Sequence, residues 1–230
     1  MPKLLLFDID GTLIHSNGAG RLTIAYALEK LFGTCGPLEH YNMSGKTDPR
    51  IITDLLTAIG IAPKEIKKQL PAVYELMAEH GQRIFIEREM LACPGVPELL
   101  THLAGREDVL VGLLTGNSQL TAPLKLSAAG IDPLQFKVGA YGSDAMDRNE
   151  LPAIGMKRAN QLTGSVFNGN NTVIIGDTPA DILCARAGKA TAVAVASGWH
   201  AASTLADYHP DHLFDDLVDT ELVVQTLLAE

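Results

Sequence analysis

Short apolar runs alternate along the chain with longer stretches of helical periodicity. Residues 4–7, 109–114, 136–138, 172–175 and 190–195 are apolar runs of strand length, several of them rich in valine or isoleucine. Amphipathic stretches lie between them, near residues 117–129, 150–163 and 179–188. Strand, helix, strand at this spacing predicts a parallel sheet with helices on both faces. Ligands of such sheets bind beyond the carboxyl ends of the strands. The residues just after each apolar run are therefore the ones to read for chemistry.

The interval from Ile14 to about Cys93 breaks the alternation and contains no convincing strand. Leu22, Ala25, Leu28 and Phe32 fall at helical spacing. Ile51, Leu55 and Ile59 do so in a second stretch, and Ile66, Leu70, Val73, Met77 and Ile84 in a longer third. Nearly 80 residues is too long for a plain crossover between strands, so three or four helices are expected as a separate lobe. Cys93-Pro94-Gly95 marks the return to the sheet. The expected architecture is α/β. A doubly wound, Rossmann-like core comprises residues 1–14 and 93–230, and an inserted all-helical domain spans 15–92. No internal repeat or low-complexity tract is present.

Composition narrows the function classes. With 47% hydrophobic and 20% charged residues, the chain can bury a sizeable core. Lys+Arg 18 against Asp+Glu 27 leaves a net charge of −9. That balance argues against nucleic acid or an anionic membrane as partner, since both want a basic face. It leaves a phosphorylated substrate open, because a site can be locally positive on an acidic protein. Cys35, Cys93 and Cys184 are scattered and form no C-x-x-C pair, so neither a zinc site nor a disulfide framework is indicated. A reduced, cytoplasmic setting is expected. No segment approaches the roughly 18 apolar residues of a membrane helix. The short N-terminal run before Asp8 reads as a first strand rather than a signal peptide. Oligomeric state is not legible.

The first run ends in Phe7-Asp8-Ile9-Asp10-Gly11-Thr12-Leu13. In an extended segment, two carboxylates two residues apart project to one side. Like charges that close call for a divalent cation or a shared proton. The motif alone does not separate this from an acidic turn without chemistry. The second run ends in Thr115-Gly116-Asn117, which suits either an anion at a helix start or an ordinary N-cap. The fourth ends in Gly176-Asp177-Thr178-Pro179-Ala180-Asp181, with Pro179 fitting the first turn of a helix. Asp177 would then face the end of the sheet and Asp181 sit one turn up. Three strand ends carrying such groups converge on one crevice, and chance agreement of all three is a poor explanation.

On these motifs the chain resembles the haloacid dehalogenase superfamily, phosphatase branch. Residues 7–13, 113–117 and 174–181 match the family's first, second and fourth motifs in order and spacing. The insert matches its helical cap of the first type, and Gly45-Lys46-Thr47-Asp48 lies where such caps carry a substrate-contacting loop. The resemblance implies that Asp8 is the nucleophile forming an aspartyl-phosphate. It makes Asp10 the acid that protonates the leaving alcohol and then the base that activates water. It implies Mg²⁺ held by Asp8, the backbone carbonyl of Asp10, and Asp177. Thr115, with Gly116 and Asn117, would hold the phosphoryl oxygens, and Asp181 would orient metal waters or the cationic residue. Lys46, Thr47 and Arg21 are candidates for touching the substrate from the cap.

The family's third motif is usually a Lys followed by Pro. Here that region reads Asp147-Arg148-Asn149-Glu150-Leu151-Pro152, so Arg148 is expected to neutralise Asp8 and the phosphate. Among rival cations, Lys125 reads as a solvated charge on the helix after the second motif. Lys137 reads as inside the third strand, and Lys157 as two turns into the following helix. Arg50, like Arg21, could bind an anionic leaving group from the cap, with a solvated helix face expected for at least one of the two; His15 reads as an incidental loop residue, and the Trp199-His200 pair receives no role. The implied activity is hydrolysis of a small phosphomonoester, phosphoglycolate-like compounds among the candidates. Sugar-phosphate mutation, metal-independent dehalogenation and a non-catalytic interaction module are the alternatives. Asp10 argues against dehalogenation, whose branch lacks that second acid.

Overall fold

The computed structural model describes residues 2–229. In chain order its strands and helices are β1 (Lys3–Phe7), β2 (Ile14–His15), α1 (Ala19–Phe32), α2 (Asp48–Thr57), α3 (Pro63–Glu87), β3 (Leu91–Ala92), α4 (Val96–Leu103) and β4 (Val109–Thr115). There follow α5 (Ala122–Ala128), β5 (Val138–Tyr141), α6 (Leu151–Thr163), β6 (Thr172–Gly176), α7 (Pro179–Ala187), β7 (Thr191–Val195), α8 (Ala202–Ala206), β8 (His212–Phe214) and α9 (Thr220–Leu228). Met1 and Glu230, the ends of the expected division into core and insert, lie outside the described residues.

Six strands form one parallel sheet in the order β5-β4-β1-β6-β7-β8. Leu4, Leu5, Leu6 and Phe7 of β1 are all fully buried, which explains an unbroken apolar run at the centre of a sheet covered on both faces. Side chains alternate between the faces. Leu5 and Phe7 pack with Leu99, Leu126 and Val223, under α4, α5 and α9. Leu4 and Leu6 pack with Leu151, Ala159 and Ile182, under α6 and α7. Each such side chain contributes roughly 1.5–3 kcal/mol.

The insert is three helices, one of them α3, a 25-residue helix running through Pro71. Ile24, Leu28, Ile52, Leu55, Val73 and Met77 form its own apolar cluster. Ile59 falls beyond the end of α2 and is exposed. Two short strands, unforeseen in the sequence, close its base: β2 pairs antiparallel with β3 through Ile14 and Ala92.

Two local expectations are corrected. The strand read at 136–138 lies at Val138–Tyr141. A turn at Pro133–Gln135 carries the chain to the sheet edge first, and Gly139 and Ala140 mute the apolar signal of the real strand. Lys137 therefore precedes β5 and is exposed, donating to the Leu134 carbonyl at 2.9 Å. The helix read near 117–129 begins only at Ala122, after a turn in which Ser118 Oγ accepts from Thr121 N–H.

Candidate active site

The same alternation that builds the core aims the first acid. Asp8 follows β1 in register with Leu4 and Leu6, on the face covered by α6 and α7. Its N–H donates to the Ile175 carbonyl at 2.9 Å, fixing the strand end. Arg148 meets it there, Nη2 standing 3.1 Å from Asp8 Oδ1. The approach to α6 presents this cation: Asp147 accepts from Asn149 N–H at 2.9 Å, and a single turn at Arg148–Glu150 leads into Leu151-Pro152. Cys184 of α7 donates to the Arg148 carbonyl at 3.2 Å. The same Nη2 also reaches Asp181 Oδ1, and Nη1 reaches the Gly45 carbonyl at 3.3 Å.

Asp181 closes the start of α7. Its Oδ2 accepts from Thr178 N–H at 3.0 Å and from Thr178 Oγ1 at 2.7 Å, a capping arrangement that holds the first turn. Asp177 follows β6, and Thr12 Oγ1 donates to it at 3.3 Å. Its carboxylate lies in a cradle that only glycine permits. A Cβ on Gly11, whose φ is +90°, would stand 2.2 Å from Asp177 Oδ2, and one on Gly198 would stand 1.7 Å away.

Carboxylate oxygens of Asp8, Asp177 and Asp181 come within 4.8 Å of one another, all buried. Burial pushes Asp177 up to about 9, and the charges of Asp181 and Asp8 push the same way. Burial also raises Asp8, to about 6, with Arg148 pulling against it. Three buried acids and one guanidinium leave negative charge in excess. An all-oxygen, anionic donor set of this kind suits a hard divalent cation.

Asp10 departs from the expectation that it shares a side with Asp8. The turn at Gly11 follows it, and its carboxylate faces α5. Lys125 Nζ lies 2.7 Å from both Asp10 oxygens. Asn117 Nδ2 donates to Asp10 Oδ2 at 2.6 Å and to Thr115 Oγ1 at 2.8 Å. Burial alone would raise the Asp10 carboxyl, but the Lys125 charge and the hydrogen bonds from Lys125, Asn117 and Ser16 hold it below its ordinary value. Lys125 is thus a buried, ion-paired residue, not the solvated charge expected of it. Its side chain reaches back along α5 toward the helix N-terminus and the crevice, as helical side chains do.

The insert loop is seated on this crevice. Asp48 donates its N–H to the Gly116 carbonyl and accepts from Ser118 N–H through Oδ2, both at 2.7 Å. Gly116 admits the loop: a Cβ there would lie 2.2 Å from the Lys46 carbonyl oxygen. Ser44 Oγ and His200 Nε2, 2.9 Å apart, join the loop to the segment after β7. Beneath it lies a cavity of about 880 Å³. Asp8, Asp10, Asn117, Lys125, Arg148 and Asp177 line one end, and Ile24, Ile51 and Met77 of the insert the other. Among the cap candidates, Arg21 and Lys46 line this cavity. Arg21 donates to the Leu38 and Tyr41 carbonyls, and Lys46 to the Tyr41 hydroxyl at 2.8 Å. Thr47 is buried and donates to the Met146 carbonyl at 2.7 Å, away from the cavity wall. Lys157 is exposed on α6.

The haloacid dehalogenase-like hydrolase family model matches residues 2–189. A phosphoglycolate phosphatase of Pseudomonas fluorescens is 25% identical, covering 94% of this chain and 78% of its own. One of Colwellia psychrerythraea is 26% identical, covering 93% and 92%. The crystal structure of a hydrolase from Pseudomonas syringae superimposes with a TM-score of 0.71 over 100% of both chains, at 21% identity.

Proposed function

The chain belongs to the haloacid dehalogenase-like hydrolases, and from that premise we propose that it is a Mg²⁺-dependent phosphomonoesterase working through an aspartyl-phosphate on Asp8. One observation carries this reading. Asp8 stands at a sheet end, buried, between a guanidinium and two further carboxylates, at the wall of a cavity between the sheet ends and the insert. Relatives with phosphatase names, the two phosphoglycolate phosphatases among them, support it.

In this mechanism an oxygen of Asp8 attacks phosphorus and the bond to the leaving oxygen breaks. Asp10, ionised at rest, takes up a proton brought by the monoprotonated phosphate ester and gives it to that oxygen. Water then attacks the phosphoryl group, Asp10 takes its proton, and Asp8 is freed with inorganic phosphate. Arg148 holds Asp8 in place. Its buried Nε–H, unpaired among the described residues, remains for a phosphoryl oxygen. The Thr115 hydroxyl and the Gly116 N–H supply further donors, while the amide hydrogens of Asn117 are taken by Asp10 and Thr115. A Mg²⁺ ion held by Asp8, Asp177 and the carbonyl of Asp10 would screen the anionic nucleophile from the anionic substrate. Asp181 would orient Arg148.

Residues 15–92 act as the cap, excluding water from the core of 1–14 and 93–230. A cavity of about 880 Å³ suits a small phosphorylated metabolite. Arg21 and Lys46 face an anionic leaving group, phosphoglycolate-like in character.

Phosphate release from a panel of esters tests the reading, with Mg²⁺ and with EDTA. The panel holds 4-nitrophenyl phosphate, phosphoglycolate and hexose phosphates. Release in Mg²⁺, lost in EDTA and restored by excess Mg²⁺, is expected. Isomerisation of a hexose phosphate without phosphate release would make it a mutase. Metal-independent halide release from a 2-haloacid would make it a dehalogenase. Turnover of nothing would favour the interaction module.

A further inference from the structure

The mechanism above leaves Lys125 without a task. Its side chain is 5% exposed, on a helix whose outer face could have left it in water. Burying an ammonium costs several kcal/mol even when paired, and an apolar residue would serve the fold at least as well. The position is also closely fitted. A Cβ on Gly20, in the first turn of α1, would lie 3.3 Å from Lys125 Nζ. The ammonium thus sits wedged between the insert and Asp10.

An ionised carboxylate offers about four lone-pair positions. On Asp10, Lys125 takes one on each oxygen and Asn117 takes a second on Oδ2. Oδ2 is then filled, and Oδ1 keeps one position, shared between the nearby Ser16 hydroxyl and whatever enters the cavity. Asp10 itself lines the cavity.

We propose that Lys125 is the positioning residue for Asp10, clamping its carboxylate so that the proton of the reaction is handled at Oδ1. This rests on the reading of Asp10 as the acid and base of a phosphatase. Without the clamp the carboxylate turns away, repelled by Asp8, while Asp8, Arg148 and Asp177 keep their places. The loss should therefore fall on the proton transfer and not on the attack.

The experiment compares kcat/KM, which reports steps up to phosphoryl transfer, for two esters. One is 4-nitrophenyl phosphate, whose leaving group departs without a proton. The other is the alkyl phosphate turned over fastest in the panel above. Lys125→Met should lose at least about tenfold more on the alkyl ester than on the aryl one, within the range general acid help is worth. Asp10→Asn should show the same selectivity. Ethylammonium added to Lys125→Ala should recover part of the alkyl rate and none of it in Asp10→Asn. Equal losses on both esters, or no loss, in variants that melt near the wild-type temperature would overturn the clamp and leave the phosphatase reading standing. A variant that melts early is judged on amine rescue, whose absence also overturns the clamp. A wild-type protein inert toward every ester would overturn both.

Discussion

Asp8 and Asp10 are two residues apart, yet the fold gives them opposite company. Asp8 is buried among acids, with Arg148 as the cation in contact with it, and its carboxyl rises to about 6. Asp10 meets a lysine on both oxygens and an amide on one, and its carboxyl is held down. The difference follows from topology. Alternation along β1 sends Asp8 to the side of α6 and α7, and the bend at Ile9, whose carbonyl accepts from the N–H groups of Thr12, Leu13 and Ile14, turns Asp10 to the side of α5. Taken alone, this split is the reverse of the one that usually separates proton donor from nucleophile in a carboxyl pair. On the proposed reading, a cation held by Asp8 and Asp177 would lower Asp8 and make it the nucleophile, while the clamped Asp10 moves the proton.

The largest test of that division is Asp8→Asn. The amide keeps the shape, but it is a poor nucleophile and a weaker ligand. Phosphate release should fall to background, with the melting temperature near that of the wild type. A folded Asp8→Asn protein with comparable turnover would transfer the nucleophile to another group and dissolve the contrast.

Asp10→Asn should cost less, about 10²–10⁴-fold, the worth of general acid–base help. KM should change little, because Asp10 is assigned no contact with the phosphoryl oxygens, which fall to Arg148, Thr115 and Gly116. If Asp10→Asn matched Asp8→Asn on every ester, the two acids would be one functional unit.

Arg148 sharpens the comparison from the side of Asp8. Arg148→Ala should lower turnover about 10²–10³-fold, the scale of removing one preorganised charge from a closed site. It should also lower the melting temperature, since it strips a buried acid cluster of its cation. Arg148→Lys keeps the charge without the fork and should retain a measurable part of the activity. Activity measured beside thermal melts separates the two effects. An Arg148→Ala protein with full activity would remove this residue from the chemistry.

The sheet was legible because its central strands are buried on both faces and spell continuous apolar runs. The acids at strand ends were legible because topology sends strand ends to one crevice. Arg148 was found by position, from the loop that opens α6 at Leu151-Pro152. Lys125 was misread because periodicity reports the side of a helix but not the reach of a long side chain. One signal could have found it: Asp10, close to Asp8 in sequence, needs a cation of its own to stay charged. The ribbon of β2 and β3 was silent, since two-residue strands have no period. The seating of the loop at Lys46-Thr47-Asp48 was silent too, because it depends on Gly116 admitting a backbone from 70 residues away.

That seating sets up the smallest expected effect. Ser44 and His200 form a hydrogen bond between the insert loop and the segment after β7. Other ties remain when it is cut, through Asp48 to Gly116 and Ser118, and through Thr47 to Met146. A single hydrogen bond of this kind contributes about 0.5–1.5 kcal/mol net. Ser44→Ala should therefore shift the balance toward an unseated loop by roughly two- to tenfold. Neither Asp8 nor Asp10 loses a partner, so the chemical step is untouched once substrate is enclosed. The expected signature is a KM raised within that range, with kcat nearly unchanged and the same ratio between aryl and alkyl esters. A kcat that falls selectively on alkyl esters would mean that seating the loop acts on Asp10 through α1 and Lys125. The two sides of the crevice would then be coupled rather than separate.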